Sequence, residues 1–257
     1  VATASFAQQV RPLPSARIYD RLQQMQSLTS VLYVAAHPDD ENTRLLSWLA
    51  RGRHVRTAYL SLTRGDGGQY FSRAVDFGYS KTADETLEQW DAEQLTNDVI
   101  HVIREFRPDV MITRFPPDSM AGHGQHAASA IIARKAYDAC PADIKPTRML
   151  FNAYRFGSFS TVREGMFSLD VGQYDPALGM GYGELAGRSR SLHKSQGAGT
   201  PSTPGVQTEY FQHLAGKPLT TSLFDGIDTT WGRVGRVDIG QDVQRIIDGY
   251  WAQPPHA

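Results

Sequence analysis

Residues 30–41 read SVLYVAAHPDDE, an apolar run that passes without a linker into one imidazole and three carboxylates set around a proline. Ser30–Ala36 is rich in β-branched and aromatic residues with no polar alternation, the pattern of a strand buried on both faces of a parallel sheet. Outward from it, a helix is expected from about Asn42 to Arg51, where Leu45, Leu46 and Leu49 recur at helical spacing. Val55–Leu62 (VRTAYLSL) reads as a second strand, closed by the Gly-rich turn Thr63–Gln69 (TRGDGGQ). Thr82–Phe106 reads as one long helix with Leu87, Trp90, Leu95, Val99 and Ile103 in its apolar stripe. Pro108 ends it, and Asp109–Thr113 (DVMIT) is the third strand. Ala127–Cys140 reads as a helix, Arg148–Tyr154 as a strand and Glu184–Gln196 as the last well-formed helix. Gly197–Gly205 is loop-like, and Thr221–Trp251 gives mixed signals that support no assignment. Alternation of strand and helix implies right-handed crossovers. The expected fold class is therefore α/β, a Rossmann-like three-layer α/β/α architecture with a mostly parallel sheet.

Composition narrows the function. The chain has 257 residues, 26 Lys and Arg against 27 Asp and Glu, and a formal charge of -1. With no net basic field, nucleic-acid binding driven by counterion release is excluded as an expectation. Forty per cent hydrophobic residues speak against disorder. No apolar run approaches the roughly 18 residues of a transmembrane segment. A single cysteine, Cys140, rules out an internal disulfide and a thiolate zinc cluster, so any metal must be held by His and carboxylate. Residues 1–29 are expected to comprise an export-signal remnant in Val1–Gln9, with Ser5 and Ala7 spaced as at a signal-peptidase site, and a Pro-punctuated lead-in with a short amphipathic helix. Residues 30–257 are expected to form one domain. The remnant makes the protein secreted or periplasmic.

The chemistry is expected at the carboxyl ends of the strands. At that position a dinucleotide-binding unit carries a Gly-rich phosphate cradle, whereas this chain carries His37, Pro38, Asp39, Asp40 and Glu41, a set suited to a cation. Pro38 stiffens the turn and biases His37 toward an extended backbone, so His37 and Asp40 can converge on one point. A catalytic zinc takes three protein ligands and keeps one position open. The loop after DVMIT offers the third ligand in Gly122–His126 (GHGQH), whose two histidines can lie on one side without both binding.

Together, AAHPDDE, SLTRGDGGQ, RPDVMITR and GHGQH resemble the PIG-L or LmbE-like zinc-dependent N-deacetylases, in the flavour of the exported Bacteroidetes-type branch. The likeness runs from about Ser30 to Gln196, where RSRSLHKSQ resembles the family's C-terminal helix. The resemblance implies one Zn2+ per chain held by His37, Asp40 and His126, with other divalent metals acceptable to the same donors. It implies Asp39 as the general base and His123 as the residue that stabilises the oxyanion. The implied substrate is an N-acetylated amino sugar of the GlcNAc type in a glycan or glycoconjugate. Such roles agree with the chemistry of amide hydrolysis, which needs an activated water, a proton acceptor and a partner for the carbonyl oxygen.

The chain departs from the family in two places. The R-x-x-E helix expected after the Gly-rich turn is not found, since TRGDGGQ runs directly into YFSRAVDFGYSKT, either by a true deletion or by omission of a segment. The family's substrate-binding arginine is therefore carried over to no residue here, Arg73 included. Gln125 also stands where relatives often carry Asp or His. Arg64 and Asp66 are the candidate substrate contacts, Asp66 being equally readable as a residue that satisfies a tight turn. His193 and Gln196 are read as packing residues of the last helix. His54, His101, His213 and His256 are read as surface or satisfied core, and the six acids of 84–98 as a solvated helix face. Cys140 reads as a small apolar filler. Tyr70, Phe71, Phe77 and Tyr79 could rim a sugar site, with packing as the default. Two rival functions share the centre: an amidase for a bulkier N-acyl group, and a catalytically silent carbohydrate-binding domain with a structural metal.

Overall fold

The computed structural model describes residues 14–63, 72–193, 201–250 and 252. Its apolar run forms β1 (Ser30–Ala35), buried at all six positions. Before it lies α1 (Ser15–Gln24), and after it come α2 (Thr43–Ser47), continued by a π-helical turn at Trp48–Gly52, and β2 (Arg56–Ser61). Next are α3 (Ala83–Gln89), α4 (Ala92–Phe106), β3 (Val110–Thr113), α5 (Gly124–Ala139) and β4 (Arg148–Ala153). Two small hairpins and one longer strand follow: β5 (Arg155–Phe156) with β6 (Phe159–Ser160), then β7 (Phe167–Asp170), then β8 (Tyr174–Asp175) with β9 (Met180–Gly181). The chain ends with α6 (Tyr182–Arg190), β10 (Thr208–Gly216) and α7 (Val237–Tyr250).

The central six-stranded sheet has the order β2-β1-β3-β4-β10-β7. The first four strands are mutually parallel, and β10 pairs antiparallel with both β4 and β7. This is a mixed α/β fold with a mostly parallel sheet. Alternate residues of β1 feed different cores, as a strand covered on both faces must. Leu32 and Val34 join Leu95, Val99 and Ile103 of α4 and Ile132 and Ala136 of α5. Val31 and Tyr33 join Leu45, Leu49 and Phe211. Each such side chain contributes about 1.5–3 kcal/mol by leaving water.

Three expectations are corrected. The long helix over 82–106 is two helices, because Trp90 turns extended to bury its ring and donate its indole N–H to Val75 at 2.9 Å. Asp91 then caps α4 through the Gln94 amide at 2.9 Å. The helix near residue 184 begins at Tyr182 and ends at Arg190, and it is not the last: α7 occupies part of the segment left unassigned. Its apolar stripe is short, with only Val243 and Ile247 buried, and it rests against α1, where Gln26 reaches the Gly240 carbonyl at 3.2 Å. Among the described residues no helix is long and apolar enough to cross a membrane.

Candidate metal centre

From β1 the chain crosses to β2 on one side, and β3 pairs on the other, so the crevice at the carboxyl end of β1 is a topological switch point. Two loops meet there. In the first, Asp40 folds back on its own turn: its Oδ2 accepts the His37 amide at 2.7 Å, while the Asp40 amide donates to the His37 carbonyl at 3.2 Å. The Tyr59 hydroxyl donates to that same carbonyl. Asn42, not Asp40, caps α2, accepting the Leu45 amide at 3.2 Å, which leaves the Asp40 carboxylate for other partners.

The second loop ends at the N-terminus of α5, where His123 occupies the N-cap position and makes no side-chain cap. Gly122 has φ 94°, a backbone that favours glycine. Gly124 is required for a different reason: a Cβ there would collide with the Thr82 carbonyl oxygen. The Gly124 amide donates to the Ser80 carbonyl at 2.8 Å, and Gln125 donates to the Gly78 carbonyl at 2.7 Å. Gln125 therefore ties the 78–82 segment to α5. His126 lies in the first turn with its ring stacked on Phe115, centroids 3.7 Å apart and planes at 7°.

The loops bring three imidazoles together. His37, His123 and His126 each offer a ring nitrogen, all within 4.8 Å of one another, close enough to hold a metal ion. Asp40 lies between two of them: Oδ2 is 3.2 Å from His37 Nδ1 and Oδ1 is 3.2 Å from His126 Nε2. The chemistry of the donors fits a cation. His126 Nδ1 stands 2.9 Å from the Ala121 carbonyl oxygen, which only accepts, so Nδ1 carries hydrogen. In the neutral ring Nε2 then presents a lone pair to a carboxylate oxygen. Two acceptors face each other, and a proton or a metal ion must lie between them. Ligands at about 2.0–2.1 Å in a tetrahedron are spaced by roughly 3.3 Å, close to both Asp40 separations. His123 Nδ1 is buried with no hydrogen-bond partner, another donor set for a cation.

Electrostatics separate the groups. Burial opposes ionisation of Asp40, but hydrogen bonds and charge from His126 and His37 outweigh it and hold the carboxyl well below the usual range. Burial also works against the charge of His37, and the Asp40 hydrogen bond, with Asp40, Asp76 and Asp39 charges, raises its pKa overall. His123 is depressed to about 4 by burial and by its neighbours His126 and His37.

Asp39 and Asp40 border the same cavity, but only the Asp40 carboxylate pairs with His37 and His126. Asp39 borders a cavity of about 710 Å3 that also takes in Asp40, His123 and His126, and its carbonyl accepts from Arg190 of α6. Glu41 is clamped by the same helix end, 2.9 Å from His193 Nε2 and 3.3 Å from Arg190. His193 thus reaches the site's own loop through a polar contact, where a packing role is the expectation. Under the site, Asn152 accepts from Tyr33 at 3.0 Å and Asn42 at 2.8 Å, and Glu209 accepts from both asparagines.

Asp76, 4.0 Å from His37 Nε2, carries no sequence signal that singles it out, while Arg114 and Arg190 lie inside the RPDVMITR and RSRSLHKSQ stretches but are assigned no role there. Phe77 packs edge-on against Trp90, whereas Tyr79 is exposed, 6.1 Å from the His123 ring. Arg64, Asp66, Tyr70, Phe71, Gln196, His256 and Val1–Gln9 lie outside the described residues. The chain matches no protein-family model and no curated protein at a significant level.

Proposed function

We propose that this chain is a zinc-dependent N-deacetylase of the PIG-L or LmbE type, built as a three-layer α/β/α domain, that removes acetyl from an N-acetylated amino sugar in a glycan or glycoconjugate. The observation that carries the reading is the facing of His126 Nε2 and Asp40 Oδ1 at 3.2 Å across the mouths of two loops, beside an acid that binds neither. His37, Asp40 and His126 would hold the ion, with His123 next to them. When bound, the cation supplies Lewis acidity and lowers the pKa of a coordinated water to about 7. Asp39, bordering the cavity and fixed through its carbonyl by Arg190, accepts the proton that the attacking water loses. His123, neutral near pH 7, offers an N–H to the acetyl oxygen as charge grows there. The C–N bond then breaks, the amine nitrogen receives the proton held at Asp39, and acetate leaves.

The test is acetate release from a panel of N-acetylated mono- and oligosaccharides, with chelator and after zinc is restored. Chelator abolishes release, zinc restores it, and Asp39→Ala lowers kcat by at least about a hundredfold with zinc still bound. Full activity in Asp39→Ala overturns the base assignment. Zinc bound tightly with no hydrolysis of any acetylated sugar, but hydrolysis of a longer acyl group, favours the bulkier amidase. Sugar binding without any hydrolysis favours the silent domain.

A further inference from the structure

Four arginines border the cavity: Arg44, Arg114, Arg155 and Arg190. Arg44 stands 3.3 Å from Glu209, and Arg190 stands 3.3 Å from Glu41. Arg114 and Arg155 have no carboxylate in ion-pair range among the described residues. Arg155 is exposed, its guanidinium 5.1 Å above the Tyr210 ring. Arg114 is the more telling of the two. It follows β3 directly, between the strand and the Phe115 ring that supports His126. Its guanidinium lies 4.8 Å over the Tyr154 ring and 3.4 Å from the Asn152 amide oxygen, so neutral groups orient it.

The charges that act on Arg114 are already engaged. Burial works against its charge, and Tyr33, which also hydrogen-bonds to it, Glu209 and Asp40 favour the cationic form. Tyr33 and Asn152 are thus its neutral acceptors, and Glu209 and Asp40 its nearby carboxylates. Asp40 is bound to His37 and His126, and Glu209 to Asn42, Asn152 and Arg44. A guanidinium has five N–H donors, and a half-buried one short of acceptors is costly unless something in the cavity completes it. A cation taking up Asp40 deepens the deficit, since one of the two nearby negative charges is then spent on the metal.

We infer that Arg114 anchors an anionic substituent, a carboxylate or a phosphate, on the acylated amino sugar, with Arg155 extending the same positive field at the outer rim. The sugar part of this inference rests on the deacetylase reading, and the capture of an anion beside the imidazoles does not. A neutral sugar offers hydroxyls that pair with single N–H groups, whereas a carboxylate or phosphate meets the planar fork with two acceptors and opposite charge.

The experiment uses the full zinc-loaded chain, Arg114→Gln and Arg114→Lys, with N-acetylglucosamine, N-acetylglucosamine 6-phosphate and N-acetylmuramic acid as probes. Binding is read by calorimetry and turnover by acetate release, and thermal melting with zinc content checks that each variant is folded and loaded. The wild type prefers one of the two anionic sugars over the neutral one, and which of them wins tells phosphate from carboxylate. Arg114→Gln reduces that preference about tenfold to hundredfold, the worth of a charge-assisted contact, and Arg114→Lys restores part of it. No preference in the wild type overturns the inference. A preference that survives in Arg114→Gln also overturns it, because the anion is then held by the metal. If the preference depends on Arg114 but no sugar releases acetate, the deacetylase reading fails and the anion anchor stands. Equal release from all three probes does the reverse.

Discussion

Asp40→Asn is the sharpest probe of the centre, because it keeps the side chain's shape and one acceptor while removing the charge that His37 and His126 share. In the wild type each ring stands 3.2 Å from a different carboxylate oxygen, and the side chain is only 12% exposed. Hydrogen bonds to charged groups contribute about 1.5–3 kcal/mol each, so losing two costs the metal-free chain about 3 kcal/mol. For a chain of this length that is a fall in Tm of about 6–12 °C. The pH dependence has a defined sign. Asp40 is depressed, so its contribution is present above the unfolded value of about 3.9 and fades as pH falls through the folded one. His37 is raised, so its contribution is full below about 6.5 and fades as pH rises through the folded value. The gap between wild type and Asp40→Asn is therefore widest between about pH 4 and 6.5. Calorimetry of metal-stripped protein across pH 4–8 reads it, and zinc titration adds a second measure: the wild type gains about 4 kcal/mol at a thousandfold excess over Kd and the variant far less. Equal melting temperatures and an equal response to zinc would refute the reasoning.

Gly124→Ala pushes a methyl into the Thr82 carbonyl at the start of α5. Thermal melting should show a loss of about 1–3 kcal/mol together with weaker zinc binding, and unchanged values of both would show that the approach is not tight. In the metal-free chain the His123 imidazole titrates near pH 4 by NMR, and since the unfolded chain binds its proton first, stability falls as pH drops from about 6.5 toward 4; a shift midpoint above 6 contradicts this. Glu41→Gln releases the clamp on His193 and Arg190 and lowers stability by about 1–2 kcal/mol, with KM rising more than kcat falls. Phe115→Leu keeps an apolar side chain but loses the flat stack on His126, so zinc affinity measured by chelator competition falls about tenfold while every ligand remains.

The sequence was most readable where a segment's neighbours could not change its meaning. Ser30–Ala35 is apolar after its first residue and Arg148–Ala153 is apolar except at Arg148 and Asn152, and both are fully buried strands that pair parallel with β3. The break at Trp90 was hidden because α3 and α4 bury one continuous stripe, so the period carries across a kink made by an indole hydrogen bond to distant Val75. Strand β10 was illegible for the opposite reason. Its residues are half exposed, and its register shifts between His213 and Ala215, which blurs the alternation. At the site, His37, Asp39, Asp40, His123 and His126 stood out because five chemistry-bearing residues fall in two short turns at strand ends. Asp76 did not, and Arg114, though it closes the RPDVMITR stretch, had no readable role, since a charge gains meaning only from the aromatic or imidazole that folding sets beside it.

The two ring nitrogens that face Asp40 are held by more than the Asp40 carboxylate. His37 is fixed through its backbone, whose carbonyl takes hydrogen bonds from Tyr59 and from the Asp40 amide, and His126 through the Phe115 ring and the Ala121 carbonyl. These contacts are made between protein groups without a cation, so the loops need not wait for one to take shape. A site ordered in advance spends little binding energy on arranging its own ligands, and more of the ion's affinity appears as measured Kd. The same rings shape the electrostatic asymmetry. Hydrogen bonds and charge from His126 and His37 outweigh burial and hold Asp40 ionised, and burial, together with the charges of the same two rings, depresses His123. A carboxylate kept charged where the ion would sit, beside an imidazole kept neutral with an N–H to offer the acetyl oxygen, divides the work between neutralising the ion and meeting the substrate.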